Sequence, residues 1–341
     1  MRRPALGRLA TGLFFLAAVL FVGLLLRRQW SALASLRHGA GPTFHLSPGW
    51  LAAALVLATL NLGWMGGTWV HLYRAGGGKL GYRRGVAVWM ATNLGRYIPG
   101  KVWQLSGLAL HLRRTGGSGA LALSSSLGYQ VVTLLTGAAV ALLTLGGDLA
   151  AAHSGSPLVW AAAILVLAVL LHPALLRWVT RLAARLTGEE TLESAAPRGR
   201  DLGAAGVALV VSWLAYGLGF WCLLRGLWST APVGVLTATG VFAASYVAGY
   251  LVLLAPGGLV VREGAMTALL LALTLLTATS AAAVAIAARV WTVASELVGV
   301  AAASAIARGG SSDGAPGTSS NEGAAEGAAP RGHEASENPE G

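Results

Sequence analysis

Six charged side chains stand inside otherwise apolar sequence: Arg96, Lys101, Arg262, Glu263, Arg289 and Glu296. A charge near the centre of a bilayer costs about 2.5–3.5 kcal/mol on insertion scales, so such residues pair with one another or face a polar pathway. Four of them flank two interruptions of the same kind. One reads Arg96-Tyr97-Ile98-Pro99-Gly100-Lys101-Val102-Trp103-Gln104, the other Ala255-Pro256-Gly257-Gly258-Leu259-Val260-Val261-Arg262-Glu263-Gly264. Pro removes a backbone donor and Gly admits conformations closed to other residues. In a bilayer the freed backbone groups need partners, so such breaks persist only inside protein or beside a polar cavity.

The chemistry these residues suggest is anion binding. A half-helix starting after each Pro-Gly, at Lys101-Val102-Trp103 or at Gly258-Leu259-Val260, presents free N–H groups and the positive end of its dipole. Arg96, Lys101 and Arg262 add full positive charge, Tyr97 and Trp103 amphipathic rings, and Gln104 a polar side chain. Together they suit a phosphate headgroup held below the membrane surface. Arg289 and Glu296 are seven residues apart, near one face of a helix two turns apart. Glu263 and Glu296 are the only carboxylates in the apolar segments. They would balance the cations or take a direct substrate or proton role. The plainer reading is internal ion pairing with Arg262, Arg289 or Arg96, and both roles can hold together. Arg225 lies close to a segment end, where snorkelling explains it.

The elements that must position these groups are membrane helices. Hydrophobic residues make up 55% of the 341 and charged ones 11%, with a mean hydropathy of +0.66, which excludes an ordinary soluble domain. The expected fold is all-α and polytopic, with about eight transmembrane helices near 7–26, 50–73, 120–146, 157–176, 203–227, 232–254, 264–279 and 281–305. The segment 264–279 is short enough to be re-entrant. The apolar stretch 85–111, broken at Pro99, reads as two half-helices that enter and return, with one kinked crossing as the alternative. The first segment reads as a retained anchor rather than a cleaved signal. The two Pro-Gly breaks lie 157 residues apart (256 − 99), which suggests an internal duplication, although their flanks align poorly.

Arginine placement gives orientation. The N-terminus and the loops near 74–84, 113–114 and 177–202 are basic, whereas 147–156 and 228–234 carry no Lys or Arg. This predicts cytoplasmic N- and C-termini in a cell inner membrane. The loop bearing Arg27, Arg28 and Arg37 runs against the pattern. Residues 1–307 form the expected membrane domain. Residues 308–341 form an expected disordered acidic tail, with six carboxylates against Arg331 from 309 onward. The net charge of +11 sits beside spans, where topology and anionic lipid explain it without nucleic acid. The single cysteine, Cys222, allows no internal disulfide, and no metal-ligand spacing or phosphate-loop pattern is present.

Asn93 to Gln104 resembles the first motif of the lysylphosphatidylglycerol synthase transmembrane family, also described as flippase-like. Ala255 to Gly264 resembles its second, with Val260 where the family usually has Gly. The resemblance covers roughly 7–306. In the family this domain can be coupled to a cytosolic domain that aminoacylates phosphatidylglycerol. No such soluble domain is expected within these residues. The resemblance implies a translocase of an anionic or aminoacylated phospholipid, not an enzyme, with no cofactor. Membrane lipids would be its partners, with a lipid-modifying enzyme or a glycosyltransferase beside them. The alternative is a non-transporting membrane partner that presents polyprenyl-phosphate-linked substrates to a glycosyltransferase.

Overall fold

A computed structural model describes residues 46–97, 102–152, 199–228, 233–251, 261–274 and 276–309. No strand forms among them. Eight helices do: α1 (Pro48–Ala75), α2 (Tyr82–Asn93), α3 (Val102–Arg114), α4 (Gly119–Ala152), α5 (Gly199–Leu227), α6 (Val235–Leu251), α7 (Val261–Leu273) and α8 (Ala278–Gly309). A 3-10 turn, Leu94–Tyr97, follows α2. Helices α1, α4, α5 and α8 are long and apolar enough to cross a membrane. The expected spans 7–26 and 157–176, and the acidic tail, lie outside the described residues.

Local chemistry sets the helix ends. Pro48 opens α1, where its missing donor is harmless. Gly77, at φ 95°, closes α1, and Gly116, at φ 82°, closes α3; both are left-handed positions that glycine takes without strain. The Ser118 hydroxyl accepts from the Leu121 N–H at 3.1 Å to cap α4, and Thr277 accepts from the Ser280 N–H at 3.2 Å to cap α8.

Contacts fix the directions. Helices α1 and α5 run antiparallel along their length: the Ser47 N–H donates to the Gly226 carbonyl, Asn61 Nδ2 to the Ser212 carbonyl, and Trp64 Nε1 to the Ala208 carbonyl. Asn61 and Ser212 each stand 13 residues from the start of their helix (61 − 48 and 212 − 199), so this contact marks mid-depth. Helix α4 runs parallel to α5, with Gly128 against Leu202 and Trp213 Nε1 donating to Thr136 Oγ1 at 3.1 Å. Helix α8 runs parallel to α1, since Gly299 meets Leu62 while Trp291 and Ala54 both border Gly219. Small residues allow the close approaches that tails of lipid cannot drive. A Cβ added at Gly217 would meet Thr239 Cβ at 2.4 Å.

The remaining helices form two hairpins that do not cross. In the first, α2 and α3 pack antiparallel: Gln104 Nε2 donates to Asn93 Oδ1 at 2.8 Å, and Gly107 faces Thr92. Both of its open ends lie with the basic cluster of Arg74, Lys79, Arg83, Arg84, Arg113 and Arg114. In the second hairpin α6 and α7 pack antiparallel, with Gly249 against Arg262. It enters from the opposite face, since Thr237 near the start of α6 donates to Asp148 near the end of α4. Met90 packs at Gly299 beside Leu62, and Val247 packs at Gly137 beside Trp213, so both tips reach mid-depth. Helices α3 and α7 have 13 residues each, or about 20 Å, short of the roughly 30 Å hydrocarbon core. Helices α2 and α3 therefore enter and return, as expected for 85–111, and α7 is too short to span, as the length of 264–279 suggested. Expected span 232–254 is the other arm of that second hairpin.

Two halves thus share one plan with inverted topology. Span, hairpin and span recur as α1, α2–α3, α4 and as α5, α6–α7, α8. The shift is 159 residues from α3 to α7 (261 − 102), from α4 to α8 (278 − 119) and from the capping Ser118 to the capping Thr277 (277 − 118). Single cysteines at Gly81, Thr115, Gly234 and Thr279, in a Cys222→Ala background, check the hairpins. Gly81 and Thr115 should react with an impermeant thiol reagent from one face, and Gly234 and Thr279 from the other. Reaction of Gly81 and Thr115 from opposite faces would mean that the first hairpin crosses.

Candidate functional site

The two tips meet at one cavity of about 80 Å³, room for several water molecules. The first hairpin contributes Asn93, Arg96 and Gln104, and the second Gly249, Tyr250 and Arg262. Helix α8 adds Arg289, Thr292 and Glu296, on one face as their spacing requires. Helices α4 and α5 supply Tyr129, Gln130, Ser212, Trp213 and Tyr216.

Ion pairs organise this centre. Arg96, on the turn after α2, pairs with Glu296, whose side chain is 3% exposed. The pair joins the hairpin of one half to the long helix of the other. Glu263, third residue of α7, stands 3.4 Å from Arg289 Nε on α8. The sequence left three arginines open as partners for the two carboxylates. The structure gives Glu296 to Arg96 and Glu263 to Arg289. Arg262 instead lays its guanidinium over Phe242 at 4.8 Å and Tyr246 at 5.6 Å, a cation–π arrangement that softens its burial. One oxygen of each carboxylate, Glu263 Oε2 and Glu296 Oε2, is buried with no hydrogen-bond partner among the described residues.

Of the residues singled out in the sequence, Arg96, Gln104, Arg262, Arg289 and Glu296 line the cavity, and Glu263 reaches it through Arg289. Tyr97 lies in the 3-10 turn and Trp103 in the first turn of α3, with side chains that are not described. Pro99, Gly100, Lys101, Pro256, Gly257 and Gly258 lie outside the described residues. Sequence reasoning missed Tyr129, Gln130, Trp213 and Tyr216, and took Asn93 only as the start of the first motif. They are uncharged and sit in helices where they conflict with nothing, so only the cavity they share reveals them.

This geometry can hold an anion against clustered guanidinium groups away from bulk water. The family model for the lysylphosphatidylglycerol synthase TM region matches residues 6–299. The chain belongs to that family. Searches of the curated proteins and of the solved structures find no match. The synthase TM region is a membrane domain, in keeping with the four apolar spanning helices. Within it the matched residues include both hairpins and every cavity-lining residue.

Breaking a buried pair by removing one partner costs about 3–5 kcal/mol, because the other charge is left uncompensated. Arg96→Met should therefore lower the melting temperature of the purified protein markedly, since it strands Glu296. Arg96→Met with Glu296→Gln should recover most of the loss. Equal melting of the single and double variants would show that the pair does not hold the hairpin.

Proposed function

We propose that the protein moves an anionic lipid headgroup between leaflets through the mid-depth cavity. The observation that carries this reading is charge. Among the described residues the centre holds three guanidinium groups, Arg96, Arg262 and Arg289, against two carboxylates, Glu263 and Glu296, a net charge of +1. A phosphodiester brings one negative charge and would make the centre neutral. In a low-dielectric site that difference matters far more than it would in water.

Three further features support the reading. The hairpins enter from opposite faces and stop at the same depth, so a small displacement of either would open the cavity toward its own side. The chain belongs to a family of membrane domains named for a lipid synthase. Arg74, Lys79, Arg83, Arg84, Arg113 and Arg114 gather at one face, which by the positive-inside rule is the cytoplasmic face of a cell inner membrane. Translocation makes and breaks no covalent bond, so the protein acts without enzymatic chemistry. A lipid-modifying enzyme is the expected supplier of the cargo, and movement is passive, ion-coupled or driven by synthesis.

Leaflet exchange of labelled anionic lipid in reconstituted vesicles tests the proposal. The protein should speed exchange over empty vesicles. Arg262→Gln should slow it by about tenfold or more, the effect of losing one charge-assisted hydrogen bond. Lys79→Gln, on an exposed loop at the basic face, should leave the rate near that of the parent protein. If no lipid moves under any ion gradient, the partner of a glycosyltransferase becomes the better reading.

A further inference from the structure

The two halves share a plan but not their chemistry. Gln104 is the third residue of α3, and the third residue of α7 is Glu263. Gln130 is the twelfth residue of α4, and the twelfth of α8 is Arg289. The second half closes these two positions as an ion pair at 3.4 Å. The first half has two neutral amides there, and both line the cavity. Gln104 donates to Asn93 within its own hairpin at 2.8 Å. Gln130 Nε2 is buried with no hydrogen-bond partner among the described residues. Across the same cavity, Glu296 Oε2 is also buried without one.

These two groups make opposite demands. An amide N–H needs an acceptor, and an ionised carboxylate oxygen needs a donor. Leaving either unmet in a buried site is unfavourable. A phosphodiester supplies acceptors only. An ammonium supplies donors only, and its charge would return the centre from neutral to +1. A hydroxyl both accepts and donates, and it carries no charge.

We propose, building on the translocase reading, that the ligand is a phosphodiester whose headgroup bears hydroxyls and no ammonium, with Gln130 and Glu296 as the residues that select it. A polyol glycerophospholipid and a polyprenyl phosphoglycoside share this chemistry. Arg96, Arg262 and Arg289 set the charge of the ligand, and the Gln130 amide with the Glu296 carboxylate sets its hydrogen bonding.

The full chain in detergent, titrated with short-chain lipids and followed by tryptophan fluorescence, tests this. Trp69, Trp89 and Trp213 line the cavity and report occupancy directly. Phosphatidylglycerol and phosphatidylmethanol carry the same charge and differ in the headgroup hydroxyls. Phosphatidylglycerol should bind about tenfold tighter than phosphatidylmethanol, and tighter than phosphatidylethanolamine. Gln130→Leu should bring phosphatidylglycerol down to the level of phosphatidylmethanol and leave phosphatidylmethanol unchanged. Gln130→Met serves if Leu lowers the melting temperature, and the comparison on the parent protein decides even if neither variant folds. A short polyprenyl phosphohexose in a parallel arm identifies the source, since tighter binding there points to a glycosyl carrier and tighter binding of phosphatidylglycerol to a glycerophospholipid.

Equal affinity for phosphatidylglycerol and phosphatidylmethanol would mean that water satisfies the amide and the carboxylate, and would overturn the proposal while leaving anionic lipid movement intact. Tighter binding of phosphatidylethanolamine would overturn it in favour of an ammonium at Glu296. If no lipid binds, the cavity is not a headgroup site and the translocase reading falls with the inference.

Discussion

A charge held at mid-depth in a bilayer has to be neutralised where it stands, and the Arg96–Glu296 pair does this between elements from different halves of the molecule. Arg96 rides on the turn at the tip of the first hairpin, and Glu296 lies on a long helix of the second half. Neither can retreat to the interface without leaving the other exposed to hydrocarbon. The pair therefore fixes how far the first hairpin penetrates. That depth in turn decides which residues face the cavity, because Asn93 and Gln104 are carried on the same tip. The second hairpin carries an ion pair of its own, Glu263 against Arg289 on the next helix. Both hairpins are also held across the two halves, the first by Met90 at Gly299 and the second by Val247 at Gly137 and Thr237 on Asp148.

These contacts are set on a scaffold whose two halves are closely matched. The constant shift of 159 residues through α3, α4 and their caps means that equivalent side chains occupy equivalent depths. A hairpin that stops at mid-depth leaves backbone groups that hydrocarbon cannot satisfy. Two such tips meeting from opposite faces can share one polar cavity, which makes both tolerable. Divergence of the side chains then breaks the symmetry. Amides stand at Gln104 and Gln130, and charges at Glu263 and Arg289. The outcome is a cavity in which, among the described residues, four of the five charges come from the second half and Arg96 from the first.

The parts legible in the sequence were those in which composition conflicts with environment. Charges within apolar runs marked Arg96, Arg262, Glu263, Arg289 and Glu296. The break at Pro99 pointed to two half-helices in 85–111 and the shortness of 264–279 to re-entry, whereas 232–254 read as a full span. The partner of each carboxylate was not legible, because it depends on how helices far apart in sequence approach each other. Arg262 illustrates this: it neighbours Glu263 in sequence yet lies over Phe242 and Tyr246. The duplication was only half legible. It is preserved in helix lengths and capping hydroxyls, whereas the motif flanks have diverged. Asn61, Gln130 and Trp213 carried no signal of their own, since a neutral polar residue in an apolar helix has many ordinary explanations.

For the proposed movement of lipid, the internal pairs matter as much as the net charge. Three guanidinium groups with no carboxylates nearby would hold a phosphate too tightly to release it. Here Arg96 already has Glu296 and Arg289 already has Glu263. An incoming phosphate would gain only the margin by which it competes with a carboxylate. A pathway across a membrane needs binding favourable enough for entry and weak enough for exit. A phosphate that drew Arg96 from Glu296 would also loosen a tie that helps hold the first hairpin at its depth. In such a site, occupancy and opening are coupled through a single guanidinium, and selectivity rests with the neutral groups that do not have to move.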